Sequence, residues 1–251
     1  MSVVAWVSGA PVDVSLVDDR ERGLRAGPVG PTLPRAHTSE GRQLRRWLVQ
    51  VLVAERLVAA EADARGLSEA DAPPLVSLAP DRAAMLGLGS VAADLLTRSA
   101  VARAVFAAVT ASISVSDDAV LRFYDGNPER FLVPEERVVR HALGGVTRLR
   151  TVRRGELTGA VEDAVFAADV GAVRTVVDPL GVHTVLVEEV RVAAVRSLAE
   201  ARGEIVDRLL SAARRRAFTA WLDRHATADV RLAPGFEHPG DPGQPDNTHR
   251  H

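Results

Sequence analysis

The chain has 251 residues and a formal charge of −2, from 33 acidic against 31 basic side chains, and 47% of it is hydrophobic. That supplies a core without cross-links, and the absence of cysteine excludes disulfides, thiolate nucleophiles and cysteine-held zinc. Every basic residue is an arginine, which excludes Schiff-base and phosphate-loop lysines, and the balanced charge argues against nucleic-acid binding.

Met1 to Gly9 carries neither a basic n-region nor an apolar run of signal length, and Asp13, Asp18 and Asp19 follow, so a cytoplasmic location is expected. No run of 18 uncharged apolar residues occurs, and no membrane span is expected. Val3 to Val7, the turn Ser8-Gly-Ala-Pro11 and Val12 to Leu16 read as strand, turn and second extended piece. Gly23 to Pro34 reads as irregular. Thr38 or Ser39 can cap a helix that runs to Arg65 and is ended by Gly66, with Leu44, Trp47, Leu48, Val51, Leu52 and Val58 along one stripe. Ser68 to Pro80 reads as a linker. Asp81 then opens a helical region to about Ala111, which Gly87, Gly89 and Ser99 are placed to break in two. Ser116 caps a short helix stopped by Gly126-Asn-Pro128.

At Pro134 to Leu143 the pattern changes. Val139, His141 and Leu143 alternate with Val138, Arg140 and Ala142, the period of a half-buried strand. Val182 to Val187 repeats it, with His183, Val185 and Val187 on one face, so two strands each offer one inward histidine. Between them lie Gly144-Gly145, a basic run at Arg148, Arg150, Arg153 and Arg154, a short helix from Thr158 or Gly159 to Ala168, a strand at Val173 to Val177 and a turn at Asp178-Pro-Leu-Gly181. A long helix covers Leu198 to Arg224. The end of the chain, rich in Gly, Pro and His, has nothing to bury and is expected to be disordered.

Several stretches resemble the SurA/PrsA-type foldases, in which a parvulin peptidyl-prolyl isomerase domain is joined to a helical peptide-binding domain. They are Val4-Ala-Trp-Val-Ser-Gly-Ala-Pro-Val12, the helix at Leu52 to Ala62, Val115 to Phe131 with its Asn-Pro stop, Arg140-His-Ala-Leu143, Gly181-Val-His-Thr-Val-Leu186 and Leu198 to Leu222. The resemblance implies an α+β fold: a mainly helical SurA-like domain over 1–131, a truncated, antiparallel-sheet parvulin-like module over 132–191, a C-terminal helix over 192–226 packed on the first domain, and a disordered tail over 227–251. It implies remnant catalytic roles for His141 and His183, and substrate-binding positions at Leu157, Val161 and Phe166. One departure bears on activity. The family has one or two helices and a loop bearing aspartate or cysteine between its first strand and the segment matching Gly155-Glu-Leu157, whereas here only Gly144 to Arg154 is available, without Asp, Glu or Cys.

The expected function is therefore chaperone-like binding of polypeptide clients with weak or absent isomerase activity. The alternatives are a working peptidyl-prolyl isomerase and an accessory subunit dedicated to one partner enzyme. His141 and His183 read either as a remnant active site or as a structural pair bonded across strands. The arginines at 148, 150, 153 and 154 read either as an anion site, since guanidinium forks onto phosphate or carboxylate, or as a solvated strand edge. His238, Asp241, Asp246, His249 and His251 have metal-ligating chemistry but no periodic burial to hold them, so no metal and no cofactor is expected. No G-x-S-x-G elbow occurs, which argues against a hydrolase of that type.

Overall fold

The computed structural model of the chain describes residues 2–241, 243, 244 and 246. It is an α+β protein, mainly helical with small antiparallel sheets. The chain opens with β1 (Val3–Val7) and β2 (Ala10–Asp13), which pair antiparallel through a turn at Ser8 and Gly9. Helix α1 (Val14–Ala26) follows, capped by the Asp13 carboxylate accepting from the Ser15 N–H at 2.9 Å. This helix replaces the extended and irregular stretches expected at Val12 to Leu16 and Gly23 to Pro34. Val17 is buried in the core and Val14, Leu16 and Leu24 pack partly buried on the same cluster, a face that the buried Glu21 interrupts. Ion pairs hold it as well: Arg45 reaches Asp18 and Glu21, and Arg20 reaches Glu55.

Helix α2 (Ser39–Arg65) starts at the Thr38 cap and ends at Gly66, whose φ of 65° is the left-handed conformation that favours glycine. A turn, α3 (Leu75–Leu78), breaks the expected linker, and the expected helical region divides into three: α4 (Arg82–Leu86), α5 (Ser90–Arg98) and α6 (Ala100–Val109). Then come α7 (Asp117–Asp125), β3 (Leu132–Val133), β4 (Glu136–Leu143), β5 (Val146–Arg153), α8 (Ala160–Ala167), β6 (Val173–Asp178), β7 (Gly181–Arg191), β8 (Ala194–Val195), α9 (Leu198–Asp229) and β9 (Val230–Leu232).

Two compact units result, Met1–Ser114 with Arg208–His251, and Val115–Asp207, so the second begins upstream of the expected 132. In the first, α2 is the organising element because two apolar clusters meet it. On one side Leu48, Val49, Leu52 and Val53 pack on Val4, Val7 and Val12 of the small sheet. On the other, Ala54, Val58 and Ala62 pack on Leu95 and Leu96 of α5, Phe106 of α6, and Phe218 and Trp221 of α9. Each fully buried Leu, Val or Phe contributes about 1.5–3 kcal/mol, so α2 holds both clusters in one core. The sheet order is β2-β1-β9. Val230 and Leu232 pair with Val7 and Ala5 where a disordered tail was expected from 227, because β1 has an open edge and the Arg231 guanidinium stacks 4.2 Å over Trp6.

In the second unit β5-β4-β7-β6 form a fully antiparallel sheet, and β3 pairs with β8 beside it. Helix α8 covers part of one face: Val165, Phe166 and Ala168 pack on Val139, Val152, Val185 and Val187.

Candidate functional site

His141 on β4 and His183 on β7 lie on the face that α8 covers only in part. They are not directly opposed: Leu143 faces His183 and His141 faces Val185, so the rings meet across the diagonal. His141 Nε2 is 2.9 Å from His183 Nδ1, and the rings stack with centroids 5.1 Å apart. His183, only 4% exposed, places Nε2 2.8 Å from the Asp178 carboxylate at the end of β6. That oxygen also accepts the Leu180 N–H, in the turn that leads from β6 to β7.

A carboxylate only accepts, so His183 Nε2 carries a proton; with both rings neutral, His183 Nδ1 then accepts from His141 Nε2–H and His141 Nδ1 keeps a lone pair. Burial first, then His183 and Arg150, push the His141 pKa below its ordinary value. Burial pushes the Asp178 carboxyl up, but the Leu180 amide and His183 outweigh it and hold the group below the usual carboxylate range. Asp178 was not singled out from the sequence. Its signal was there, an aspartate five residues before the histidine across a tight turn between strand-like runs.

The other expected site residues are dispersed. β4 turns into β5 through Gly144 and Gly145 at positive φ, so a two-residue hairpin stands where the foldases have their acid- or thiol-bearing insertion. Arg148 faces His141 across the ladder and Arg150 faces Val139, whereas Arg153 points to the other face and pairs with Glu136. Arg154 lies beyond the strand end, bonded to Glu135 and stacked 4.5 Å over Phe166. The four arginines therefore do not converge on one anion. Val161 and Phe166 are buried side chains of α8 itself, and Leu157 packs on the cluster that holds Phe166, so these side chains form core and do not line an open cradle.

The first unit holds an apolar groove of about 740 Å³ that the sequence did not show. Val53, Ala54 and Leu57 of α2, Val91 of α5, and Leu222 and Ala226 of α9 line it. Trp47 stands at its edge with its indole N–H on Ser90 Oγ at 3.0 Å, and His238 and Pro239 of the chain's own terminal segment lie against it. Asp246, expected among solvated tail residues, instead accepts from Arg46 at 2.6 Å and from Arg42. His249 and His251 lie outside the described residues. Among the described residues no group of three or more His, Asp or Glu side chains is arranged to hold a metal, and no helix is long and apolar enough to cross a membrane.

A model of a family of unknown function (DUF7158) matches residues 3–40. No curated protein matches the chain in sequence. Two solved structures similar to it come from work on the virulence factor PEB4 and the periplasmic protein Cj1289 of the human pathogen Campylobacter jejuni, described as structurally related SurA-like chaperones. One has a TM-score of 0.44 at 10% identity, covering 93% of this chain and 100% of its own. The other has a TM-score of 0.41 at 16% identity, covering 90% and 96%. Cj1289 is described as a periplasmic protein, which runs against the cytoplasmic location expected from the N-terminal residues, and that expectation is withdrawn.

Proposed function

We propose that the chain is a chaperone-like protein that binds segments of polypeptide clients in the groove of its first unit, with weak or absent prolyl isomerase activity in its second. The observation that carries this reading is the groove itself, whose size and apolar lining suit side chains of a peptide and which has a Pro of the chain's own sequence against it. A second apolar surface supports it. On the sheet face away from α8, Val177 and Val182 face each other across the ladder and are each more than half exposed, as are Val173 and Leu149 elsewhere on that face.

The expectation of little isomerase activity follows from what surrounds the histidines. Rotation about a prolyl bond has a barrier of ~20 kcal/mol set by amide resonance, and a catalyst lowers it by positioned polar groups around a twisted amide in an apolar cradle. The two-residue hairpin brings no acid or thiol to His141, and Val161 and Phe166 are buried as part of α8 and not open to a ligand. The bonded chain from Asp178 through His183 to His141 is the one feature that favours a working isomerase.

Two assays on the same protein separate the readings. Aggregation of an unfolded client should be suppressed, and Thr227→Trp, which fills the groove from an exposed position on α9, should abolish the suppression. A protease-coupled assay on an Ala-Pro peptide should stay within twofold of background. Robust turnover that vanishes in His141→Ala would promote the isomerase, and failure of both assays would favour a subunit dedicated to one partner.

A further inference from the structure

The terminal segment beside the groove ends on a carboxylate held by two arginines. Arg46 sits in the second turn of α2 with its side chain 3% exposed, between Gln43 and Gln50 on the same side of the helix. A buried guanidinium stays charged, so it needs an anion. Asp246 supplies it, with one oxygen 2.6 Å from Arg46 Nη1 and both oxygens 2.9 Å from Arg42 Nε. Glu237 stands 3.8 Å from Arg46 Nε, too far to bond. Around this centre the packing is incomplete. Gln43 Oε1 and Gln50 Nε2, one turn either side of Arg46, are buried without hydrogen-bond partners among the described residues, as is Gln244 Nε2 of the segment itself. Gln50 also lines the groove. From Pro239 the chain reaches Asp246 through successive turns: Asp241 N–H to His238 O, Gln244 N–H to Asp241 O, and the Asp241 side chain accepting from Gly243 N–H.

We infer that Arg42, Arg46 and Gln50 form a carboxylate-recognition site at one end of the groove, that its ligand class is an acidic, proline-containing turn segment of a polypeptide, and that the chain's own segment with Pro239 and Asp246 occupies it as an internal copy of such a ligand. This rests on the groove being the client site. The chemistry is specific in three ways. Two guanidinium groups select a carboxylate over a neutral amide, since charge-assisted bonds are about twice as strong as neutral ones. The unpartnered Gln50 amide offers one more donor beside the same site. The tether gives the internal segment an effective concentration on the order of millimolar, so a free ligand must outbid it.

The test uses the full chain and a dye-labelled peptide with the sequence of residues 236–246, beside the same peptide with its last Asp replaced by Asn. No described residue past Phe236 packs into either core cluster of the first unit, so Asp246→Asn leaves the core intact. In Asp246→Asn the acidic peptide should bind at least tenfold more tightly than to the wild-type chain, and at least tenfold more tightly than its Asn form. Asp246→Glu should behave as wild type. Adding Arg42→Gln, a change at a half-exposed side chain, to Asp246→Asn should remove the preference between the two peptides. Equal binding to the wild type and Asp246→Asn, or no preference for the acidic peptide, would overturn the inference while groove-dependent suppression of client aggregation still stood. Charge-selective peptide binding without any suppression would leave the inference standing and remove the client reading.

Discussion

Arg137 is the side chain on which the second unit's core depends most directly. It projects from β4 under the end of α8, where its guanidinium donates to the carbonyls of Val165, at 3.2 Å, and Ala168, pairs with Glu135 at 2.7 Å and lies 5.5 Å over the Phe166 ring. The last carbonyls of a helix have no partner within it, and here they are buried, so the arginine ends α8 and fixes it to the sheet at once. Replacing it with Met keeps the stem's apolar volume and removes the donors. Two orphaned carbonyls cost ~1–3 kcal/mol each, Glu135 keeps Arg154, and the Met side chain returns part of the loss. The net is about 2–4 kcal/mol, which at 1.4 kcal/mol per tenfold is roughly 30- to 700-fold. Amide hydrogen exchange reads this unit by unit. In Arg137→Met the β4 and β7 amides should exchange on the order of a hundredfold faster, with α2 unchanged, and Arg137→Lys should lie between because it keeps the charge without the fork. Unchanged exchange in β4 and β7 would refute the assignment of Arg137 as the tie between α8 and the sheet.

Gly41, in the first turn of α2, has no room for a side chain: an added Cβ would lie 2.1 Å from the Arg35 carbonyl oxygen. Gly41→Ala should cost about 1–3 kcal/mol and lower the melting temperature by about 5 °C at ~2–4 °C per kcal/mol, read by the fluorescence of Trp6, Trp47 and Trp221, all in the first unit; an unshifted melt would show that the loop before α2 yields. His141 should titrate below its ordinary value in an NMR pH series. Because the folded form binds its proton less readily than the unfolded one, stability from this group is complete above ~6.5 and is lost as pH falls through the lowered folded value. Asp178→Asn removes the one contribution that raises His141 and should lower it further; an upward shift would contradict the bonded chain. Asp246 is held well below the usual carboxylate range, first by Arg42 and then by Arg46, so the terminal segment should stay in place from pH 7 down to pH 4 and release only in stronger acid.

What was legible in the sequence follows from which forces leave a local trace. The bounds of α2 were readable because Thr38 and Gly66 act within a turn of themselves, and the two histidine strands because a period of two is written into neighbouring residues. α1 was not readable, since its core positions Val14, Val17 and Leu24 are interrupted by Glu21, which is buried only because Arg25 and the distant Arg45 pair with it. β9 was missed for a related reason: three residues carry no pattern, and the open edge of β1 that recruits them lies more than two hundred residues away.

The same distinction separates the two sites. Alternation gave the faces of His141 and His183 but not their offset, which is set by how β4 and β7 align after the irregularity between Val138 and Val139. Asp178 joins them only because its turn closes on β7. At the groove, nothing local singled out Arg46, which closes the polar run Arg42-Gln-Leu-Arg-Arg46 at the start of α2. A helix places such a residue in the core only when an anion arrives to meet it, and here the anion is 200 positions further along the chain. Neither the burial of Arg46 nor its partner could be found by spacing, because Arg42 and Arg45 beside it carry the same charge and stay partly exposed. What distinguishes Arg46 is the arrival of Asp246, from a stretch whose composition carries no periodic signal.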